Sequence, residues 1–206
     1  MSGKRDPTPI IQFNLDVNTW LAHPPGVEET RPCRCPRCGV AGRPLGGTLR
    51  IWGHGLRLRQ LRGPPLPGAD PETRVLAARR YRCLNCEAIL LVVPRGVARC
   101  KHFAATAIAF AVALFGINQL PQHAVREAVS PWRVVSGPRT TWASLRRWIN
   151  AIGSGALWPA LPRAPAPSSS RQIAERAAMA LSARAPSSLA SAPLSHLAFH
   201  GGAHMA

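Results

Sequence analysis

Four cysteines in two Cys-x-x-Cys pairs, Cys35-Pro-Arg-Cys38 and Cys83-Leu-Asn-Cys86, are the residues whose type and spacing fit a defined chemistry. Two residues between thiolates let both sulfurs of a pair turn toward one ion at about 2.3 Å, and two pairs close a tetrahedral shell. That is the ligand set of one structural Zn2+ in a zinc ribbon. A closed shell leaves no position for a reacting water. The ion is therefore expected to contribute folding energy, on the order of 10 kcal/mol in comparable zinc peptides, and no catalysis. Cys33 stands too close to Cys35 for knuckle spacing, and Cys100, near His102, is read as a bystander at a helix start. A disulfide framework of all six cysteines is the lesser alternative. No secretory pattern precedes them, and paired Cys-x-x-Cys in a reducing compartment favours metal, so the cytoplasm is the expected location.

The elements that must position these sulfurs are strands. Between Cys38 and Cys83 lie 44 residues, more than the roughly 15 to 20 of a compact finger. The gap must therefore hold structure of its own. Thr48 to Leu61 reads as a strand with Leu56 and Leu58 on one face and Arg57 and Arg59 on the other, and Gly63-Pro-Pro-Leu-Pro-Gly68 breaks the chain. A second strand is expected over Val75–Arg82. A third covers Ala88–Val93, apolar on both faces and ended by Pro94. The result is a three-stranded ribbon with a lengthened hairpin loop. Residues 1–30, with Ile10, Ile11, Phe13, Leu15, Trp20 and Leu21, read as an extension holding a strand or short helix packed on the ribbon.

Charge bounds the partners. The formal net charge of the 206-residue chain is +17, and residues 31–101 alone carry +12, which makes a polyanion the default partner. Nearly all the cations are arginine, whose flat fork grips phosphate through two hydrogen bonds.

Behind the ribbon the chain turns helical. Phe103 to Ile117 is Ala-rich and apolar on every side, the pattern of a helix buried all round. The solidly apolar run is 15 residues, shorter than the roughly 20 of a membrane span, so no membrane association is expected. Pro121 opens a helix over Gln122–Val129, Ser130-Pro131 begins a short turn through Trp132 and Arg133, and Gly137-Pro138 breaks again. The last helix, capped by Thr140 or Thr141, covers Trp142–Ile152. Its apolar face holds Trp142, Leu145, Ile149 and Ile152, and Ser144, Arg147 and Asn150 point away, with Arg146 near the boundary. An apolar back and basic front suit a recognition helix, although about ten residues, Ser130 to Arg139, precede it where a helix-turn-helix turn has about three or four.

Cys35-Pro-Arg-Cys38-Gly39, Gly53-His54-Gly55, Arg79-Arg80-Tyr81-Arg82-Cys83-Leu-Asn-Cys86 and Trp142-Ala-Ser-Leu-Arg-Arg-Trp148 together resemble the N-terminal zinc-ribbon and helix-turn-helix region of bacterial insertion-sequence transposases. They equally resemble short orphan proteins of unassigned function found near mobile elements. The resemblance covers roughly residues 31–152. Two departures stand out. Glu87 occupies the knuckle position where glycine is usual. The cutting domain of such transposases also needs three carboxylates holding two metal ions, whereas this chain has nine acids and only Glu175 after residue 130. No enzyme activity and no small-molecule substrate are expected, and Ser195-His196 has no acid partner for nucleophilic chemistry.

The tail from Ser154 is rich in Ala, Pro and Ser. Ser170 is a candidate cap for a helix through Arg184, and disorder is expected beyond Ala185. His196, His200 and His204 recur every four residues, but Gly201-Gly202 makes a poor helix there, and they are not read as a metal stripe. The expected fold is thus α+β. It comprises an extension (1–30), a three-stranded zinc ribbon (31–100), a three- or four-helix helix-turn-helix-like domain (101–153) and a largely disordered tail (154–206). The leading functional expectation is a zinc-dependent, nucleoid-associated binder of duplex DNA. Phosphates would be met by Arg57, Arg59, Arg79, Arg80, Arg82 and Arg139, and the groove by Ser144, Arg146 and Arg147. The alternative is a zinc-ribbon protein that binds RNA or scaffolds a protein partner.

Overall fold

A strand that is apolar on both faces reads as an interior strand of a covered sheet, and the N-terminal stretch supplies one of its two hydrogen-bonded neighbours. In the computed structural model, which describes residues 8–99, 101–132 and 141–205, β1 (Ile10–Phe13) runs parallel to β4 (Ile89–Pro94), and β3 (Glu72–Cys83) pairs antiparallel on the other side of β4. With β2 (Ile51–Gly63) at the edge, the sheet has four strands in the order β1-β4-β3-β2, not the three expected. The register places Ile10 beside Leu91 and Tyr81 beside Leu90, which leaves Leu90 to Val93 of β4 buried. The short helix α1 (Val17–Ala22), capped by the Asp16 carboxylate, delivers Trp20 to this core, where its indole N–H donates to the Ala77 carbonyl at 3.2 Å. Residues 1–30 thus supply both a strand and a helix, where either one was expected.

The chain divides into two compact units. The first combines residues 1–59 with 75–95, and the second combines 60–74, the end of the β2–β3 hairpin, with 96–206. The division follows packing and cuts across the linear order expected from composition.

The second unit is built around α2 (Ala105–Gly116). Every residue of this helix except Thr106 is buried, because its small side chains admit neighbours on all sides. Each Ile, Leu or Phe removed from water there contributes about 1.5–3 kcal/mol. Packed around it are α3 (Gln122–Val129), α4 (Ala143–Gly153), α5 (Ser170–Ser182) and α6 (Leu194–Gly202), completing six helices among the described residues. The hairpin end joins this unit through its backbone: the Arg62 N–H donates to the His102 carbonyl at 2.8 Å, and the Ala104 N–H donates to the Arg62 carbonyl at 3.1 Å.

Two expectations need correction here. The tail is not largely disordered: beside the helix expected from Ser170, present as α5, the stretch beyond Ala185 forms α6, and Ala174, Ala177, Ala178, Leu181, Ala198 and Phe199 join the common core. Helix α5 is capped by Ser169, which forms a reciprocal capping box with Gln172, instead of by Ser170. Arg171 then reaches the carbonyl end of α2, donating to Phe115 O at 2.7 Å with its guanidinium 4.3 Å from the Phe115 ring centroid. The second correction concerns the α4 cap. Trp142 takes that position without a side-chain bond, and its backbone N–H donates to Gln122 Oε1 at 2.7 Å, so the first residue of α3 holds the start of α4. Thr140, Arg133 and the Gly137-Pro138 break lie outside the described residues.

Candidate metal centre

The two knuckles are built on one backbone plan. Cys35 N–H donates to the Val40 carbonyl at 2.9 Å and Gly39 N–H to the Cys35 carbonyl at 2.8 Å; Cys83 N–H donates to Ala88 O at 3.0 Å and Glu87 N–H to Cys83 O at 2.8 Å. In each turn the N–H two residues past the second cysteine points at its sulfur, Val40 toward Cys38 and Ala88 toward Cys86. The first knuckle is closed by an antiparallel bridge between Arg34 and Ala41, and the second joins the end of β3 to the start of β4.

These turns bring four sulfurs into one cluster. All four lie within 4.8 Å of one another, with Cys35 Sγ 3.7 Å from Cys86 Sγ and Cys38 Sγ 3.7 Å from Cys83 Sγ. Those cross-knuckle separations fit a tetrahedron with metal–sulfur bonds of about 2.3 Å, whose edges are about 3.8 Å. Cys35 and Cys83 are fully buried, whereas Cys38 and Cys86 reach solvent. The Val40 N–H and the Asn85 side chain, both donating to Cys38, bring its thiol down to about 6, a thiolate ready for a cation at neutral pH. Burial pushes Cys86 up to about 12, against the Ala88 N–H, so that proton has to be displaced by the ion itself. The donor set and its geometry can hold a metal ion. Among the described residues no other group of three or more His, Cys, Asp or Glu side chains lies close enough to do so. Cys33 is exposed outside the cluster, and Cys100 lies outside the described residues.

The departure seen at Glu87 has a structural counterpart. Gly39 in the first knuckle has φ +74°, and Glu87 in the matching place has φ +59°, a left-handed conformation that disfavours a side chain. Holding Glu87 there costs about 1–2 kcal/mol. Against that stand the extra chain entropy of glycine, about 0.5–1 kcal/mol, and the exposed 2.8 Å pair with Arg82, about 0–1 kcal/mol. Glu87→Gly is expected to raise the stability of the metal-loaded protein by about 0.5 kcal/mol and Glu87→Val to lower it by at least about 1 kcal/mol. Thermal unfolding of the two variants under saturating metal checks the split, and equal midpoints would remove strain from the second knuckle.

The arginines expected to meet phosphate meet different fates. Arg57 is exposed and Arg59 half-buried; Arg80 is half-buried; Arg82 pairs with Glu87. Arg79 is occupied inside the fold, its Nε and Nη2 donating to the Pro25 carbonyl at 2.9 and 2.6 Å. Tyr81 acts alongside it, donating to the Val27 carbonyl at 2.7 Å while lying 2.6 Å from the buried Thr30 hydroxyl. The Arg79-Arg80-Tyr81-Arg82 run is therefore partly a clamp for the loop before the first knuckle, a role its sequence does not reveal. In the second unit, Arg146, Arg147 and Asn150 are exposed and Ser144 half-buried, above a buried row of Trp142, Leu145, Trp148, Ile149 and Ile152. Phe103, Trp142 and Trp148 pack edge to face with centroids 5.0–5.9 Å apart and fix that helix against the core. Arg139 lies outside the described residues.

No helix among the described residues is long and apolar enough to cross a membrane. No family model matches this chain, and no curated protein or solved structure matches it either.

Proposed function

We propose that this protein binds duplex DNA through a scaffold folded by one zinc ion, and that it belongs with the transposase-related ribbon and helix-turn-helix proteins while binding without cutting. Zinc is the assignment because four thiolates in a closed tetrahedral set suit a soft ion with no geometric demand of its own. The ion supplies folding energy, and the chain's arginines supply the affinity. The observation that carries the reading is α4. Its exposed Arg146 and Arg147 have no carboxylate partner among the described residues, so their charge is available to phosphate. α3 ends at Val129 and α4 begins at Ala143, so the link is longer than a helix-turn-helix turn and groove entry rests on α4 alone. Binding without cleavage is supported by the scarcity of acids, with Glu175 alone following residue 130.

The test is fluorescence anisotropy of zinc-loaded protein on duplex DNA and on RNA of equal length across a salt series. Arg146→Ala/Arg147→Ala is expected to reduce the log-log salt slope by about two and to weaken duplex binding at least about tenfold. Unchanged duplex affinity in the double variant, or tighter binding to RNA, would move the function to RNA or a protein partner.

A further inference from the structure

A second surface of different chemistry lies in the first unit. β2 is the edge of the sheet with β3 as its one neighbour, and from Trp52 to Leu58 it is exposed on both faces. The leucines read as sharing one face of this strand stand in solvent: Leu56 is 50% and Leu58 70% exposed, with Trp52 at 52% and Val75 of β3 at 56%. Gly55, at φ +84°, takes a left-handed conformation in the middle of this run. Trp52 is oriented as well as exposed, because its indole N–H donates to the Leu49 carbonyl at 3.0 Å and leaves ring surface to solvent. Arg50 precedes it and Arg57 follows Leu56 along the strand, both exposed and without a carboxylate partner among the described residues. Apolar surface of this kind on an edge strand marks a binding site or an aggregation hazard.

Charge selects the occupant. A second copy pairing antiparallel along β2 would bring like-charged arginines together on a chain already at +17. The partner has to carry both negative charge and flat apolar groups. Unpaired bases on a phosphate backbone have both, whereas bases inside a duplex cannot reach a side-chain ring. The stretch from Trp52 to Leu58 is about 20 Å long, room for a short strand of nucleotides. Leu56 and Leu58 suit a sugar without a 2′-hydroxyl.

We infer that the β2 edge is a binding site for single-stranded DNA, with a base stacked on Trp52 and phosphates on Arg50 and Arg57. This rests on the protein being a nucleic-acid binder but uses residues other than those of α4. The test compares a labelled oligo-dT, an oligo-U of equal length and a duplex on zinc-loaded full-length protein. Trp52→Ala is expected to weaken oligo-dT binding about tenfold and leave the duplex within about twofold, with Trp52→Phe restoring most of the loss. Leu58→Ser, at a position 70% exposed, is expected to weaken oligo-dT several-fold at unchanged metal content and circular dichroism. Oligo-dT affinity that survives both Trp52→Ala and Leu58→Ser overturns the assignment, as does tighter binding of oligo-U than of oligo-dT. A dimer in sedimentation that Trp52→Ala dissociates, with oligo-dT binding unaltered, overturns it in favour of self-pairing. The Arg146→Ala/Arg147→Ala protein separates the two readings: if it still binds duplex normally, the α4 proposal fails while the edge-strand site stands on its own data.

Discussion

Replacing Cys83 with serine is expected to reduce bound metal from one ion per chain to none and to unfold the first unit while the helical unit stays folded. Cys83 is fully buried, and it is the last residue of β3 and the first of the second knuckle, so its sulfur ties the sheet to the cluster. Metal binding coupled to folding is worth on the order of 10 kcal/mol, comparable with the whole stability of a small domain at about 5–15 kcal/mol. A unit that also loses the tie between its knuckles has little left to offset chain entropy. The helical unit has a core of its own centred on α2 and should retain its circular dichroism. Metal analysis, far-ultraviolet circular dichroism and limited proteolysis report the three parts of this expectation. Cys33→Ser, outside the cluster, is the control that should leave all three unchanged. A Cys83→Ser protein with unaltered protease resistance in residues 8–59 would end the idea that metal folds this unit.

Gly201→Ala is expected to destabilise the helical unit by about 3 kcal/mol or more, a large effect for one methyl group. A Cβ built on Gly201 would overlap the Leu181 carbonyl oxygen, and one on Gly202 would crowd the Ala105 carbonyl oxygen and Ala109 Cβ. Both obstacles are backbone or the first carbon of a side chain, which cannot rotate away. The glycines that argue against a helix in this part of the sequence are thus inside α6 because their missing side chains let it approach α2 and α5 closely. Thermal unfolding and proteolysis at the tail give the readout. A Gly201→Ala protein as stable as its parent would mean that α6 is not seated as described.

What was legible follows the range of the signal. The four cysteines were readable because ligand spacing within a knuckle is local, and the strands that carry them were readable because alternation is local too. Helices α2, α3 and α4 declared themselves through apolar runs and periodicity. The helix starting at Ser170 was legible as well, with its cap one residue earlier, at the Ser169-Ser170-Arg171-Gln172 capping box, whereas the Ala, Pro and Ser composition hid α6. Composition misled because alanine and glycine bury little area alone. They gain stability only when another small-residue helix comes close, and that partner is far away in the chain.

By itself the sequence determined the two cysteine pairs, the strands and helices nearest to them, the basic balance and the exposed arginine face of α4, all properties set by residues a few positions apart. Tertiary structure alone decided that residues 10–13 complete the sheet beside β4, that Arg79 and Tyr81 hold a loop, that the Leu56 and Leu58 side of β2 meets solvent, and that the tail folds onto α2. Each of these depends on which distant segment covers which surface, and burial of that kind is a property of the packed chain that no local pattern encodes.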